Sequence, residues 1–143
     1  MEYSLNVFHA LTTKKTTGIW QEKLKDVAYE SLAICALLHD LCKTYFYTTD
    51  YRNKKNEQGI WERVPYYTID DKIPYGHGEK SVMMIEEYIK LLPAERYAIR
   101  WHMGWTEAKE NYNALGTAME KYPLILALHE ADLEATYLME EKQ

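Results

Sequence analysis

An apolar segment that ends in a His-Asp pair constrains the fold more than any other feature of this sequence. Leu32–Leu38 carries no charged side chain, and His39 and Asp40 follow it directly. The segment lies in a helix predicted over residues 20–42, and a helix that is apolar nearly all round should be buried at the centre of the fold. An ionised aspartate at its end is costly to bury unless it is paired, hydrogen-bonded or metal-bound. The alternative is an ordinary carboxylate at a solvent-exposed helix end, and a His-Asp pair taken alone does not distinguish the two.

The rest of the chain predicts further helices and one β insertion. Residues 44–69 are rich in aromatic and β-branched side chains on either side of a polar stretch at 52–59, which predicts a β-hairpin with a long tip. Pro65 makes its second strand an edge strand. The remaining helices are predicted at 2–12, 76–92, 93–103, 114–121 and 123–141. We therefore expect an all-α protein with a small hairpin insertion, folded as a single domain over 1–143.

Composition and charge exclude several functional classes. The longest apolar runs are far shorter than the roughly 20 residues that cross a membrane, and the N-terminus has no secretory pattern. The net charge of −5 argues against nonspecific duplex DNA binding, but not against a small phosphorylated ligand. Cys35 and Cys42 are expected to be free thiols, which favours a reducing, cytoplasmic location. The 13 tyrosines and 4 tryptophans suit core and hairpin packing, or a stacking surface for a base.

A second aspartate stands out in the last predicted helix. Asp132 and His129 border the core-facing side of this helix, whereas Glu130, Glu134 and Glu141 fall on the other side. Asp132 is thus a candidate ligand, or a buried hydrogen-bonded carboxylate, and His129 is a histidine at the edge of the core. The stripe expected to face the core consists of Leu124, Leu128, Ala131, Ala135 and Leu138, and the adjoining stripe of Ile125, His129, Asp132 and Thr136.

Two more histidines and a lysine complete the candidate set. His77 lies between two glycines at a predicted helix start, and glycine allows the close backbone approach that a ligand site needs. His102 closes the following helix, where the helix dipole alone would also favour a histidine. Lys43 lies three residues after Asp40, so it could form an ion pair with that carboxylate or reach a substrate phosphate.

In this order and spacing, these segments resemble the HD superfamily of metal-dependent phosphohydrolases. Leu37–Lys43 resembles its central His-Asp motif, Gly76–Ser81 and Trp101–Gly104 its two middle histidine motifs, and Ala131–Ala135 its terminal aspartate motif. The resemblance covers nearly the whole chain and implies an HD-domain helical bundle. The chain is similar to small HD proteins of bacteria and phages, and to the HD part of a bacterial 3′-to-5′ exoribonuclease.

The resemblance implies a role for each matched residue. His39, Asp40 and Asp132 would bind one divalent ion, and Asp40 would bridge to a second ion held also by His77 and His102. Lys43 would contact the phosphate or the attacking water, which makes Asp40 and Lys43 the catalytic residues. Imidazole and carboxylate ligands suit Mn, Fe, Co, Ni or Zn, with Mg also open, at one or two sites. The implied substrate is a nucleotide or a single-stranded nucleic-acid 3′ end.

Two positions depart from the family pattern. Tyr3, in Glu2–Val7, stands where the first family histidine would be, and a neutral phenol with a pKa near 10 is a poor ligand. Tyr3 and His129 are therefore expected to support the ligands from behind. Cys42 replaces a glycine and should mainly adjust packing. Relatives carry sequence before this helix, so Met1 is a candidate late start.

Two alternatives remain open at this point. Tyr3 favours a catalytically impaired HD module that binds a nucleotide or metal without turnover. The aromatic hairpin at 44–69 instead favours an interaction protein that contacts a partner or its own copy, and the oligomeric state is undetermined.

Overall fold

The computed structural model describes residues 2–45, 47–69 and 76–140, so expectations about Met1, Phe46 and the helix end near Glu141 lie outside it. The all-α class with a small hairpin is confirmed. The helices are α1 (Glu2–Lys15), α2 (Trp20–Lys23), α3 (Tyr29–Leu38), α4 (His77–Glu86), α5 (Pro93–Arg100), α6 (Tyr112–Lys121) and α7 (Pro123–Glu134). The strands are β1 (Tyr47–Lys55) and β2 (Trp61–Ile69). Short 3-10 turns occupy Leu41–Tyr45, Gly104–Thr106 and Lys109–Asn111, and a π-helical turn, Ala135–Met139, extends α7.

Helix α3 lies at the centre of the bundle, as its apolar sequence predicts. Leu32, Cys35 and Ala36 are fully buried, and α3 packs against α1 and α5. Helix α7 packs against the same two helices through its own buried side chains. The burial of α3 is incomplete, because Leu37 remains 41% exposed. His39, which follows α3 directly, is nevertheless fully buried.

The predicted helix over 20–42 is broken after α2, and this prediction was wrong in its extent. The break lets Leu24 enter the core with no exposed surface. Carbonyl groups left without helical partners are satisfied by Lys15, whose Nζ donates to the backbone oxygens of Leu24 at 2.8 Å and Lys25 at 3.2 Å. The break costs helical hydrogen bonds. The burial of Leu24 and the hydrogen bonds from Lys15 compensate for this loss.

The last helix changes its winding at Ala135. Leu124, Leu128 and Ala131 are buried as predicted, but Leu138 is 78% exposed, so its assignment to the core was wrong. A π-helical turn holds more residues than an α-helical turn, and the side chains that follow it rotate away from the α-helical stripe. Such a change of winding has no clear signature in sequence periodicity.

The hairpin forms where it was predicted, but the predicted long tip was wrong, because β1 continues through the polar stretch to Lys55. Strands β1 and β2 pair antiparallel from Tyr47 opposite Ile69 to Lys55 opposite Trp61. The Oδ1 of Asn56 closes the tip by accepting hydrogen bonds from the backbone N–H groups of Gln58 and Ile60, both at 3.0 Å. Both strands of a two-stranded sheet are edge strands. Pro65, which has no N–H group, therefore costs no hydrogen bond to a third strand.

Helices α4 and α5 meet at Gly78. A Cβ atom at this position would overlap the backbone carbonyl of Arg100, so only glycine allows the approach. The Arg100 side chain reinforces the contact through Nη2, 2.6 Å from Oε1 of Glu79. This junction brings the start of α4, with His77, next to the end of α5.

Replacing Gly78 by alanine should destabilise the fold. The added Cβ meets backbone rather than a flexible side chain, so we expect Gly78→Ala to lower the free energy of unfolding by about 1–3 kcal/mol in a denaturant titration. Gly116 is the matched control, because it lies inside α6 with nothing within 4 Å of a built Cβ. Gly116→Ala should raise stability by about 0.5–1 kcal/mol. Equal effects of the two variants would contradict the packing argument.

Candidate metal centre

Side chains from three helices converge beside the buried end of α3. His39 caps α3 and Asp40 follows it; His102 lies two residues beyond α5, and Asp132 belongs to α7. Both histidines are fully buried, whereas the side chains of Asp40 and Asp132 retain 24% and 22% exposure. The imidazoles thus form the inner wall of a site that opens to solvent on its carboxylate side.

The two buried imidazoles are oriented in the same way. Nδ1 of His39 donates to the carbonyl oxygen of Ala36 at 2.9 Å, and Nδ1 of His102 donates to that of Ile99 at 2.6 Å. A carbonyl oxygen only accepts, so in the neutral imidazole the proton resides on Nδ1 and the lone pair on Nε2. Both Nε2 atoms are buried without a hydrogen-bond partner. Buried polar atoms are rarely left unpaired, and this arrangement is the usual one for metal-binding histidines.

Asp40 faces each histidine with a different oxygen. Its Oδ2 lies 3.4 Å from Nε2 of His39, and its Oδ1 lies 3.5 Å from Nε2 of His102. Oδ1 of Asp132 is 3.4 Å from the same nitrogen of His39. Two ligand atoms about 2.1 Å from one tetrahedral ion would be about 3.4 Å apart. The separations are too long for strong hydrogen bonds and fit atoms that share a cation.

The charges within the site are strongly coupled. Burial alone would lower the pKa of His39, but Asp132 and Asp40 raise it above its usual value. Burial likewise opposes ionisation of Asp40, yet His102 and His39 hold the pKa of this carboxyl well below its usual range. The pKa of Asp132 is also lowered, despite burial, by His39 and Tyr3. The carboxylates are therefore anionic at neutral pH and attract positive charge into the site.

Tyr3 closes the site from α1. Its hydroxyl donates to Oδ1 of Asp132, and it also lies 3.0 Å from Oγ1 of Thr136. Burial and the bond to Asp132 raise the pKa of Tyr3, so its phenol stays protonated at neutral pH. The hydroxyl contacts the same oxygen of Asp132 that faces His39, and a supporting role for Tyr3 behind the ligands stays a prediction. Its hydrogen bond also ties the first helix to the last.

Lys43 and His77 approach the cluster from the hairpin side. Nζ of Lys43 is 3.3 Å from Oδ2 of Asp40, and its side chain is 50% exposed. His77 lies with its Nδ1 3.6 Å from Sγ of Cys42. Among the described residues, the histidine, cysteine and acidic side chains close enough to hold one ion together are His39, Asp40 and His102, all within 4.8 Å of one another. His77 lies near the centre and Asp132 contacts His39, but neither residue is part of this group.

His129 supports His102 through the backbone. Its Nδ1 donates to the carbonyl oxygen of His102 at 2.8 Å, and its ring occupies the space that a Cβ of Gly104 would fill. Gly104 adopts a φ of 60°, the left-handed conformation that ends α5 and its following turn. His129 thus contacts the backbone on both sides of Met103, and its role in supporting the ligands stays a prediction.

One supporting residue was missed from the sequence. Ser81 is fully buried, and its Oγ accepts a hydrogen bond from the backbone N–H of Cys42 at 3.0 Å. This bond links α4 to the turn that carries Lys43. In the sequence, Ser81 is visible only as a small polar residue at the end of the Gly76–Ser81 motif. The spacing of this motif does not indicate which backbone group Ser81 contacts.

Comparison with known families agrees with this site. The profile of the family described as HD domain matches residues 7–139. The chain belongs to the HD-domain family. HD domains are generally metal-dependent phosphohydrolases that bind divalent metals, and the cluster of His39, Asp40 and His102 could hold such an ion. No curated protein and no solved structure gave a match, so the likeness to an exoribonuclease is not confirmed. None of the described helices has the length and apolar character needed to span a membrane.

The coupling between His39 and Asp132 should be visible in metal-free protein. The folded pKa of His39 is raised, so its protonation stabilises the fold below the unfolded value of about 6.5, and this contribution is lost as pH rises through the folded pKa. Asp132→Asn should lower the His39 pKa measured by NMR titration and reduce the low-pH stabilisation. Glu130→Gln, on the same helix, removes the same charge and should leave the titration unchanged. A His39 pKa unaffected by Asp132→Asn would rule out the coupling.

Proposed function

We propose that the protein is a divalent-metal phosphohydrolase that acts on a nucleotide or on a single-stranded nucleic-acid 3′ end. The observation that carries the proposal is the pair of buried, unpartnered Nε2 atoms of His39 and His102, each facing one oxygen of Asp40. A structural histidine pair would normally have both ring nitrogens hydrogen-bonded. A site prepared for a cation explains why these two do not.

The contacts of Asp40 support its proposed bridging role. One of its oxygens faces Nε2 of His39, an atom that Asp132 also faces, and the other oxygen faces Nε2 of His102. His39, Asp40 and Asp132 would hold one ion, while Asp40 and His102 would hold a second. His77 enters the second site by family resemblance, and its proximity to Cys42 in the neighbouring turn is compatible with that role.

The protein residues then have separable tasks in hydrolysis. Divalent ions, when bound, would polarise phosphoryl oxygens and lower the pKa of a water molecule. Bonds from Nδ1 to the backbone orient the two histidines towards Asp40, and the buried imidazoles keep water away from the inner wall. Lys43, which is half-exposed beside Asp40, would contact a phosphoryl oxygen and orient the phosphate.

The surroundings of the site support a small or single-stranded substrate. The net charge of −5 disfavours a duplex, so we expect positive charge to be concentrated at the metal centre. Cys35 and Cys42 are both free and buried, which agrees with a cytoplasmic site of action. The proposal treats residues 1–143 as a single domain.

Removal of either buried histidine should abolish metal binding. We expect His39→Ala and His102→Ala to reduce metal affinity by at least about 100-fold, since even residues that support ligands contribute 10–100-fold. Elemental analysis and calorimetry with Mn²⁺, Co²⁺ and Ni²⁺ measure binding, and hydrolysis of generic phosphomonoesters and phosphodiesters measures turnover. His9→Ala is the matched control, because His9 is exposed on α1. The proposal would be contradicted if the wild-type protein showed neither bound metal nor turnover and His39→Ala were indistinguishable from it.

The contact between Tyr3 and Asp132 favours one alternative, an HD module that binds a nucleotide or metal without turnover. The phenol donates to the carboxylate oxygen that also faces His39, so it competes with a cation for that oxygen. A neutral phenol is also a poorer metal ligand than the histidine that the family pattern has at this position. A site weakened in this way could retain binding and lose hydrolysis.

Substitution of Tyr3 distinguishes the two functions. If the module is impaired, Tyr3→His should increase metal occupancy and introduce turnover, because an imidazole replaces the competing phenol beside Asp132. Tyr3→Phe fills the same space without supplying a ligand and should not introduce turnover. Metal content and phosphoesterase rates of the three proteins provide the measurement. Wild-type turnover equal to that of Tyr3→His would exclude the impaired module.

A further inference from the structure

The hairpin presents two chemically different faces to solvent. Directly opposed residues of an antiparallel pair share a face, so the register assigns each side chain. One face, which we call the basic aromatic face, carries Tyr51, Asn53, Lys55, Trp61, Arg63 and Pro65. The opposite face carries Asp50, Arg52, Lys54, Glu62, Val64 and Tyr66.

The basic aromatic face combines exposed rings with cations. Trp61 is 67% exposed and Tyr51 is 51% exposed. Nζ of Lys55 lies 5.6 Å from the ring centroid of Trp61, and Cζ of Arg63 lies 4.7 Å from that of Tyr51. The named residues of this face include no carboxylate, whereas Asp50 and Glu62 balance the cations of the opposite face. This segregation produces a positive surface on a chain with a net charge of −5.

The base of the hairpin adjoins the metal centre. Strand β1 contacts the turn Leu41–Tyr45, which contains Lys43, and Lys43 contacts Asp40. Each strand has nine residues, which corresponds to a reach of roughly 30 Å. A linear ligand that lies along the hairpin would therefore reach the mouth of the site with one of its ends.

We infer that the basic aromatic face binds single-stranded nucleic acid and guides its 3′ end to the metal centre. Bases stack on Trp61 and Tyr51, while Lys55 and Arg63 turn from those rings to the phosphates. This inference deepens the proposed function and rests on it for the direction of the strand; binding to the face itself does not require catalysis.

The observed chemistry favours this ligand over other partners. Rings separated by cations match the alternation of bases and phosphates in an extended strand. A duplex keeps its bases stacked within the helix, so it cannot use Trp61 and Tyr51. A second copy of this chain that paired face to face would bring the same cations, Lys55 and Arg63, against each other.

Fluorescence anisotropy with a labelled oligouridylate or oligothymidylate of about ten nucleotides tests the inference. The full chain is used as purified and, in parallel, with a chelator that prevents cleavage of the probe. We expect saturable binding in both cases, weaker binding to a duplex of equal length, and a loss of about tenfold in Trp61→Ala. Undetectable binding of both single-stranded probes would overturn the inference.

The two faces supply a matched pair of variants. Lys55→Glu/Arg63→Glu and Lys54→Glu/Arg52→Glu change the net charge by the same amount on opposite faces of the same strands. The first should weaken binding at least tenfold, and the second by less than about threefold. All four residues are exposed, and circular dichroism confirms that both variants are folded. Equal losses would show that overall charge alone governs binding and would overturn the inference.

Three further outcomes separate this inference from its alternatives and from the proposed function. Oligonucleotide binding by a protein that binds no metal and shows no hydrolysis supports binding to this face and contradicts the proposed phosphohydrolase activity. Hydrolysis of generic phosphoesters without oligonucleotide binding removes the inference alone. Binding only to vesicles that contain phosphatidylserine, or a dimer that Trp61→Ala converts to a monomer without oligonucleotide binding, also overturns it.

Discussion

The arrangement of the site depends on two hydrogen bonds from histidines to the backbone. His39 and His102 each donate from Nδ1 to the carbonyl oxygen three residues earlier, Ala36 and Ile99 respectively. At the end of a helix such a carbonyl lacks its usual partner, so the imidazole compensates for the helix end and fixes its own orientation. Both Nε2 atoms then point at Asp40 inside the core. The cost of leaving them unpaired in the absence of a cation makes the fold and the proposed metal site interdependent.

The helices around this centre are joined by contacts that also shape the site. Tyr3 links α1 to α7 through Asp132, and Gly78 brings the start of α4 against the end of α5. Asp132 is thus both a contact between helices and a candidate metal ligand. Through this residue, a tyrosine on the N-terminal helix can influence a site assembled mostly from other helices. The hairpin stands apart from this packing, since its strands contact chiefly each other. An isolated two-stranded sheet is only marginally stable in water, and the exposed rings and cations of this one form the face that we infer to bind nucleic acid.

Much of the fold and of the candidate site could be predicted because the relevant residues occur in local patterns. The apolar run before His39 predicted the central helix, and the aromatic segments predicted the hairpin. The errors arose where tertiary contacts override periodicity. Leu24 is buried by a break in the predicted helix, and Leu138 is exposed because a π-helical turn changes the winding of the last helix. Neither event alters the hydrophobic pattern from which helices are predicted.

The sequence by itself determined the family, the all-α class and the residues available for metal binding, because their identities and order are local properties of the chain. The tertiary structure decided which of these residues meet. It joined His39, Asp40 and His102 in one group, left His77 at its margin and turned Tyr3 into a hydrogen-bond donor to Asp132. The physical reason is that ring orientation and carboxylate contacts depend on helix ends, a close glycine junction and burial, which arise only when distant segments pack together.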